Sequence, residues 1–458
     1  IVTLKSKDDL EGFYSDMSTD GFKLHTKRPI SRNTQYYMTE DQAVTLRSDS
    51  RVLACEERYE DQGIYPEPFY TLNNEPYDQA GQFRKSGTYL QDDRDWGKLH
   101  SAGDTAQRRK NQWGSNDVAD NVTVFNTGRH VDVVVCDDPV AFDCEEWKAP
   151  SDMRDRFQMY DWFGELNGYV TSIDDDGSAI PSAPYSNYFT SQSCTAFHGT
   201  HVAGTIAGRH YGWAPEANIY SMQVLSNPSN QGSPVSTMLI FDYLRAFHRN
   251  KPINPETGQR NPTITNHSWG YGANLSSIFD SGISINDVGA VGYRNNVYQA
   301  SNPNPSGWTM QGLEEDFGIS QWKRNFNSDY VALRADIEDA IEDGVVVIAA
   351  MGNNNFYAAH PDPNHESHVD WDNSVYLMGV GSLFYQRGSS PANTKGIIAV
   401  GSLGTSFQFR RSSFSNFGPA VTVWAPGSSI VSAWVNPNGI HPNTGYQGSG
   451  TPDGKYGG

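Results

Sequence analysis

VDVVVCDD, residues Val131–Asp138, decides the fold. It is a continuous run of β-branched and apolar residues with no alternation, the pattern of a strand buried on both faces. It ends in two aspartates, at the carboxyl end of a strand, which is where open α/β sheets place their ligands. Downstream, a helix is predicted from His198, a strand at NIYSMQVL (218–225), and a helix at VSTMLIFDYLRAFHR (235–249). A strand follows at TITNHSWG (263–270), a helix at VALRADIEDAIEDG (331–344), and strands at VVVIAAMG (345–352) and GIIAVGSL (396–403). Strands alternating with helices predict an α/β fold with a mostly parallel sheet.

Upstream the pattern is different. IVTLK (1–5) reads as a short strand, and residues 8–17 carry Leu10, Phe13, Tyr14 and Met17 at helical spacing. GFKLHTKR and TQYYMT are strand-like runs separated by Pro29 and polar residues. Thr39 is the expected N-cap of a helix over DQAVTLRSD, and RVLACEE closes the segment as a strand. The order is β-α-β-β-α-β, a small ferredoxin-like α+β unit over residues 1–58. From 59 to 129 periodicity fades, with local helix expected only near Ala106–Trp113, and this stretch reads as a long linker. Residues 130–458 form the larger domain. Within it, the Gly-, Asn-, Ser- and Pro-rich region 271–327 reads as a surface insertion.

Of the 458 residues, 37% are hydrophobic and 19% charged, a globular composition. A net charge of −19 argues against nucleic acid as a partner, because phosphate binding needs a basic face. Cys55, Cys136, Cys144 and Cys194 are scattered without zinc-site spacing. No stretch is long enough to span a bilayer and no signal peptide is visible. The chain opens at Ile1 without an initiator methionine, which leaves room for a preceding targeting segment. An extracellular or virus-particle setting fits better than a membrane.

Three motifs carry chemistry. In HGTHVAGTIAG, His198–Gly208, a histidine opens a helix whose glycines permit close packing. An accessible imidazole there offers acid–base chemistry near neutral pH. A carboxylate at the end of VDVVVCDD suits the Nδ1 proton of a histidine, although alone it reads as a strand-terminating turn. AAMGNNN, Ala349–Asn355, follows a buried strand; alone it is a Gly-Asn turn, but an amide there suits a developing oxyanion.

Together these motifs resemble the subtilase family, whose order is Asp, His, Asn, Ser. The resemblance covers about Val131–Gly458 and implies a subtilisin-like three-layer fold. It places Asp137 on the catalytic aspartate, His198 on the general base and Asn353 on the oxyanion-hole amide. NHSWG resembles the substrate-binding strand, so Ser268, Trp269 and Gly270, with Met351 and Gly352, are implied in substrate binding. RSSFSNFGPAVTVWAPG, Arg411–Gly427, resembles the stretch before the nucleophile. The N-terminal unit resembles the family's inhibitory, chaperone-like propeptide, implying a precursor whose own prodomain docks on the cleft near Asn266–Gly270. The resemblance requires no cofactor; calcium is a family expectation, and no EF-hand loop is present.

The sequence departs from the family pattern in places. The aspartate motif usually runs Asp, Ser or Thr, Gly; here it is Asp137, Asp138, Pro139, which sets a second carboxylate beside the first. The spacers between the motifs are longer than in compact subtilases. The family nucleophile lies in Gly-Thr-Ser-Met-Ala, and KYGG, ending at Gly458, fits the residues just before Thr-Ser. The Gly404–Ser406 copy is followed by Phe407 and reads as a loop, and Ser413, Ser428 and Ser449 have no better claim. The expected function is a serine endopeptidase acting on protein or peptide substrates. Its rivals are a catalytically silent structural or assembly protein, for example in a virus particle, and a peptide-binding module.

Overall fold

The computed structural model describes residues 1–59, 61–63, 66–68, 126–166, 169–170, 198–209, 212–225, 235–272, 284–299, 307–320, 326, 329–404, 410–428, 430–433 and 456–457. The helix expected at Ala106–Trp113, most of the linker, and Cys194, Ser406 and Ser449 lie outside them. The chain divides into two compact units, Ile1–His267 with Val331–Val347 and Ser429–Gly458, and Ser268–Tyr330 with Ile348–Ser428.

The first unit begins with β1 (Val2–Leu4), α1 (Leu10–Thr19), β2 (Lys23–Thr26), β3 (Asn33–Tyr37), α2 (Glu40–Leu46) and β4 (Val52–Cys55). The four strands form an antiparallel sheet in the order β2-β3-β1-β4. The i, i+3, i+7 spacing of Leu10, Phe13 and Met17 puts all three on one face of α1, where they pack with Val2, Leu4, Leu46 and Val52. At α2, Thr39 and Gln42 cap each other's backbone amides at 2.8 and 3.3 Å, satisfying donors that the first helical turn leaves unpaired. Phe13 is fully buried, and truncating such a ring to alanine costs about 3–5 kcal/mol.

The parallel strands of this unit are β5 (Asp132–Asp137), β6 (Phe157–Gln158), β7 (Asn218–Gln223) and β8 (Thr263–His267). β5 lies between β7 and β8, and β6 pairs with the far side of β7. All six residues of β5 are buried, as the apolar run Val133–Cys136 at its centre requires. The same unit also contains the helices α3 (His198–Ala207), α4 (Ile240–Asn250) and α5 (Val331–Glu342). On one face, Val133, Val135 and Ile219 pack with Ala203 and Ala207 of α3. On the other, Tyr220 meets Phe247 of α4 edge-on at 4.8 Å.

Helix α4 begins at Ile240 and not at Val235, where apolar spacing alone would start it. The amide of Val235 is committed to the carbonyl of Gln223 at the end of β7, and the next residues form a turn instead. Gly344, at φ 95°, ends α5: its amide and that of Val345 fold back on Ile341 and Ala340.

The N-terminal segment is seated on α4 and α5 through charge. Arg28, fully buried, donates from Nε to Asp242 at 3.0 Å and from Nη2 to Asp336 at 2.8 Å. Ser31 Oγ donates to the other oxygen of Asp336 at 2.6 Å, and Arg245 donates to the Ile30 carbonyl at 2.6 Å. Glu56 accepts the amide of Ala332 at 3.1 Å, capping the first turn of α5.

In the second unit, β9 (Val346–Ala350, entering this unit at Ile348), β10 (Ile398–Leu403) and β11 (Val423–Pro426) run parallel in that order. A separate antiparallel sheet is built from Asn296–Gln299, Val288–Tyr293, Ser374–Leu377 and Gly381–Phe384. The region read as an insertion thus contributes a hairpin and the helix Met310–Phe317 to a core of Val288, Val291, Leu313, Phe317, Val375 and Leu377. Gly289, Ala290 and Gly292 disguise that strand as loop; the apolar run Val375–Met378 does mark the strand Ser374–Leu377, and sequence reading passed over it.

Candidate active site

Asp137 is the last residue of β5 and is fully buried. Its carbonyl accepts the amides of Val224 and Leu225, which ties the strand end to the segment after β7. Its side-chain Oδ1 meets Nδ1 of His198 at 2.6 Å and accepts the amide of Asp138 at 2.8 Å. His198 is the first residue of α3, so the helix start presents the imidazole to the strand end. A histidine whose Nδ1 is held by a carboxylate can exchange protons through its other ring nitrogen, here Nε2.

Two glycines make this approach feasible. A Cβ on Gly199 would strike the Asp138 carbonyl, and one on Gly204 would strike Ser432. Ser432 Oγ instead donates to the carbonyl of His201 at 2.6 Å. The small residues of HGTHVAG thus let a strand turn and a neighbouring backbone close on the helix.

Burial presses the His198 imidazole toward its neutral form. The charge and hydrogen bond of Asp137, with the further charge of Asp138, outweigh that and hold it above its ordinary value. Asp138 is pushed up to about 7, first by burial and then by the charge of Asp137, against the pull of His198 and two backbone amides.

Asn353 lies in the second unit, in the turn after β9, and is half-buried. Met351 donates to the Val400 carbonyl at 2.9 Å, and Gly352 takes φ 102°, a conformation that only glycine adopts without strain. Sequence reading missed the residue that holds this turn. Asn416, fully buried, accepts the amides of Asn354 and Phe356 at 2.9 and 3.3 Å and donates to the Met351 carbonyl at 2.8 Å. Its own amide bonds the Gly352 carbonyl. The only signal was its place in RSSFSNFG.

Ser268, Trp269 and Gly270 also belong to the second unit. Trp269 is fully buried and stands edge-on to Tyr271, with ring centres 6.1 Å apart. The ring is therefore a packed support, not an open surface. Among the described residues, no group of three or more His, Cys, Asp or Glu is placed to hold a metal ion, and no helix is long and apolar enough to cross a membrane.

The chain belongs to the subtilase family, peptidase S8, whose family model matches residues 86–454. It is 27% identical over 248 residues to an alkaline proteinase of Hapsidospora chrysogena, a match covering 54% of this chain and 38% of that protein. It is 26% identical over 250 residues to proteinase R of Parengyodontium album, covering 54% of this chain and 40% of that protein. The matched stretch thus spans well under half the length of either relative. Among solved structures, a cold adapted subtilisin-like serine proteinase aligns over 74% of each chain at 23% identity, with a TM-score of 0.38.

Proposed function

We propose that this chain is the precursor-like form of a serine endopeptidase that hydrolyses peptide bonds in protein substrates. The observation that carries the reading is the 2.6 Å bond between Asp137 and Nδ1 of His198. Asp137 fixes the tautomer, so that Nε2 of His198 takes the proton of a serine hydroxyl as its oxygen attacks the substrate carbonyl. His198 then returns that proton to the leaving amine, and Asp137 stabilises the imidazolium formed in between. Asn353 donates to the oxyanion, with the turn held by Asn416 keeping its amide preorganised. Ser268–Gly270 bind the substrate backbone, and Met351 and Gly352 belong to the substrate-binding part of the site in this reading. Nothing in this scheme calls on a cofactor; calcium is a family expectation that enters no step.

Residues 1–58 act as the prodomain in this reading. The support is the buried contact of Arg28 with Asp242 and Asp336, which joins that segment to two helices of the larger domain.

The test is labelling of the full-length protein with a fluorophosphonate. An adduct on one serine, lost in His198→Ala, is the expected result and numbers the nucleophile. An intact, folded protein that takes no label sinks the enzyme reading in favour of a silent scaffold of the same fold.

A further inference from the structure

We propose that Asp138 is a positioning residue for the His198 imidazole: its carboxylate caps the first turn of α3 and holds a second, titratable negative charge against the ring. This deepens the reading of Asp137 and His198 as an acid–base pair and rests on it.

The geometry is a closed loop of contacts. The amide of Asp138 donates to Oδ1 of Asp137 at 2.8 Å, and the same oxygen meets Nδ1 of His198 at 2.6 Å. The backbone of His198 returns to Asp138, donating its amide to Oδ2 at 3.2 Å, while the amide of Gly199 donates to Oδ1. Asp138 thus orients the carboxylate with its backbone and anchors the imidazole's helix with its side chain. One of its two oxygens serves each of two amides that the first helical turn would leave unpaired. A serine or threonine here would offer a single neutral oxygen.

Among the described residues, the charged and titratable groups acting most strongly on Asp138 are Asp137, the strand residue before it, and His198, from α3. Because burial and Asp137 raise its carboxyl to about 7, its charge changes near neutrality. Ionised, Asp138 favours the imidazolium; protonated or replaced by a neutral side chain, it no longer does. Loss of its charge therefore moves the protonation of His198 to lower pH. Because the two groups titrate against each other, the wild-type imidazole should show two inflections.

The experiment records the imidazole Cε1–H resonances of selectively ¹³C-labelled histidine from pH 4 to 10, with His198 identified by its loss in His198→Gln. Asp138→Asn and Asp138→Ser are each expected to give a single inflection at lower pH than wild type. In Asp138→Ala, hydrogen exchange at the His198 and Gly199 amides should quicken about fivefold, the loss of one cap, with protection restored at only one of the two amides in Asp138→Asn, whose carboxamide has a single acceptor oxygen. An inflection unmoved in both neutral variants overturns the charge role. Unaltered exchange in the alanine variant overturns the capping role. Neither readout needs turnover, so a failure here and a failure to label with fluorophosphonate are separate results.

Discussion

Arg28 lies between Asp242 and Asp336, with N–O distances of 3.0 and 2.8 Å. His198 lies on Asp137 at 2.6 Å, while Asp138 grips the helix start behind it. Both clusters are in the first unit, and both set two aspartates around one basic residue. The cations differ. A guanidinium keeps its charge at every accessible pH and forks between two carboxylates, so the cluster at α4 and α5 can only hold. An imidazole gains and loses its proton near neutrality, so the cluster at the end of β5 can move one. The same carboxylate count serves as a lock in one place and, on the proposed mechanism, as an acid–base pair in the other, and the cation's chemistry decides which.

The comparison breaks most visibly at His198. On the proposed mechanism, His198→Ala lowers kcat by about 10⁶-fold, the cost known for a subtilase triad acting as a unit, with KM little changed. Steady-state kinetics on the full-length protein read it, and a loss under tenfold would remove His198 from the chemistry.

The lock is tested by Arg28→Ala, which strands two carboxylates in a buried site. Destabilisation of about 3–5 kcal/mol is expected by denaturant unfolding, with residues 1–58 the first to become protease-sensitive. A change within experimental error would mean that water reaches the cluster.

Asn353→Ala sharpens the contrast, because an amide stabilises charge without titrating. It should lower kcat by about 10²–10³-fold, the cost of an oxyanion donor, while the pH profile keeps its shape. A displaced profile would show that Asn353 acts on the acid–base pair.

The smallest effect lies in the pH dependence of stability. Asp242 is raised from 3.8 to about 6, by burial first, with Arg28 opposing and Asp336 adding to the rise. A carboxyl raised on folding contributes stability that is present below its unfolded value and is lost as pH rises through its folded value. Thermal melts of wild type should therefore fall between about pH 4 and 6 relative to Asp242→Asn, whose curve is flatter there. Parallel curves would show that Arg28 keeps Asp242 ionised throughout.

How far the sequence could be read depended on whether a signal was local. The apolar run of β5, the Leu10-Phe13-Met17 face of α1 and the Thr39 cap are short-range patterns, and each element lies where its pattern puts it. The strand-end aspartate and helix-start histidine were legible for the same reason. The hairpin at 288–299 was not, because its glycines and alanine carry no strand signature and its apolar residues find their core only against 374–377 and Leu313.

Sequence by itself determined the alternation of strands and helices that flank the candidate site, the parallel α/β class and the residue types of that site, since periodicity and short motifs are properties of neighbours along the chain. Only the tertiary structure decided that Arg28 is a buried anchor, that Asn416 holds the turn of Asn353, and that Asp138 caps the helix of His198. Each of those roles joins residues about 60 or more positions apart. A hydrogen bond forms only when folding brings donor and acceptor to about 3 Å, and no local pattern encodes that distance.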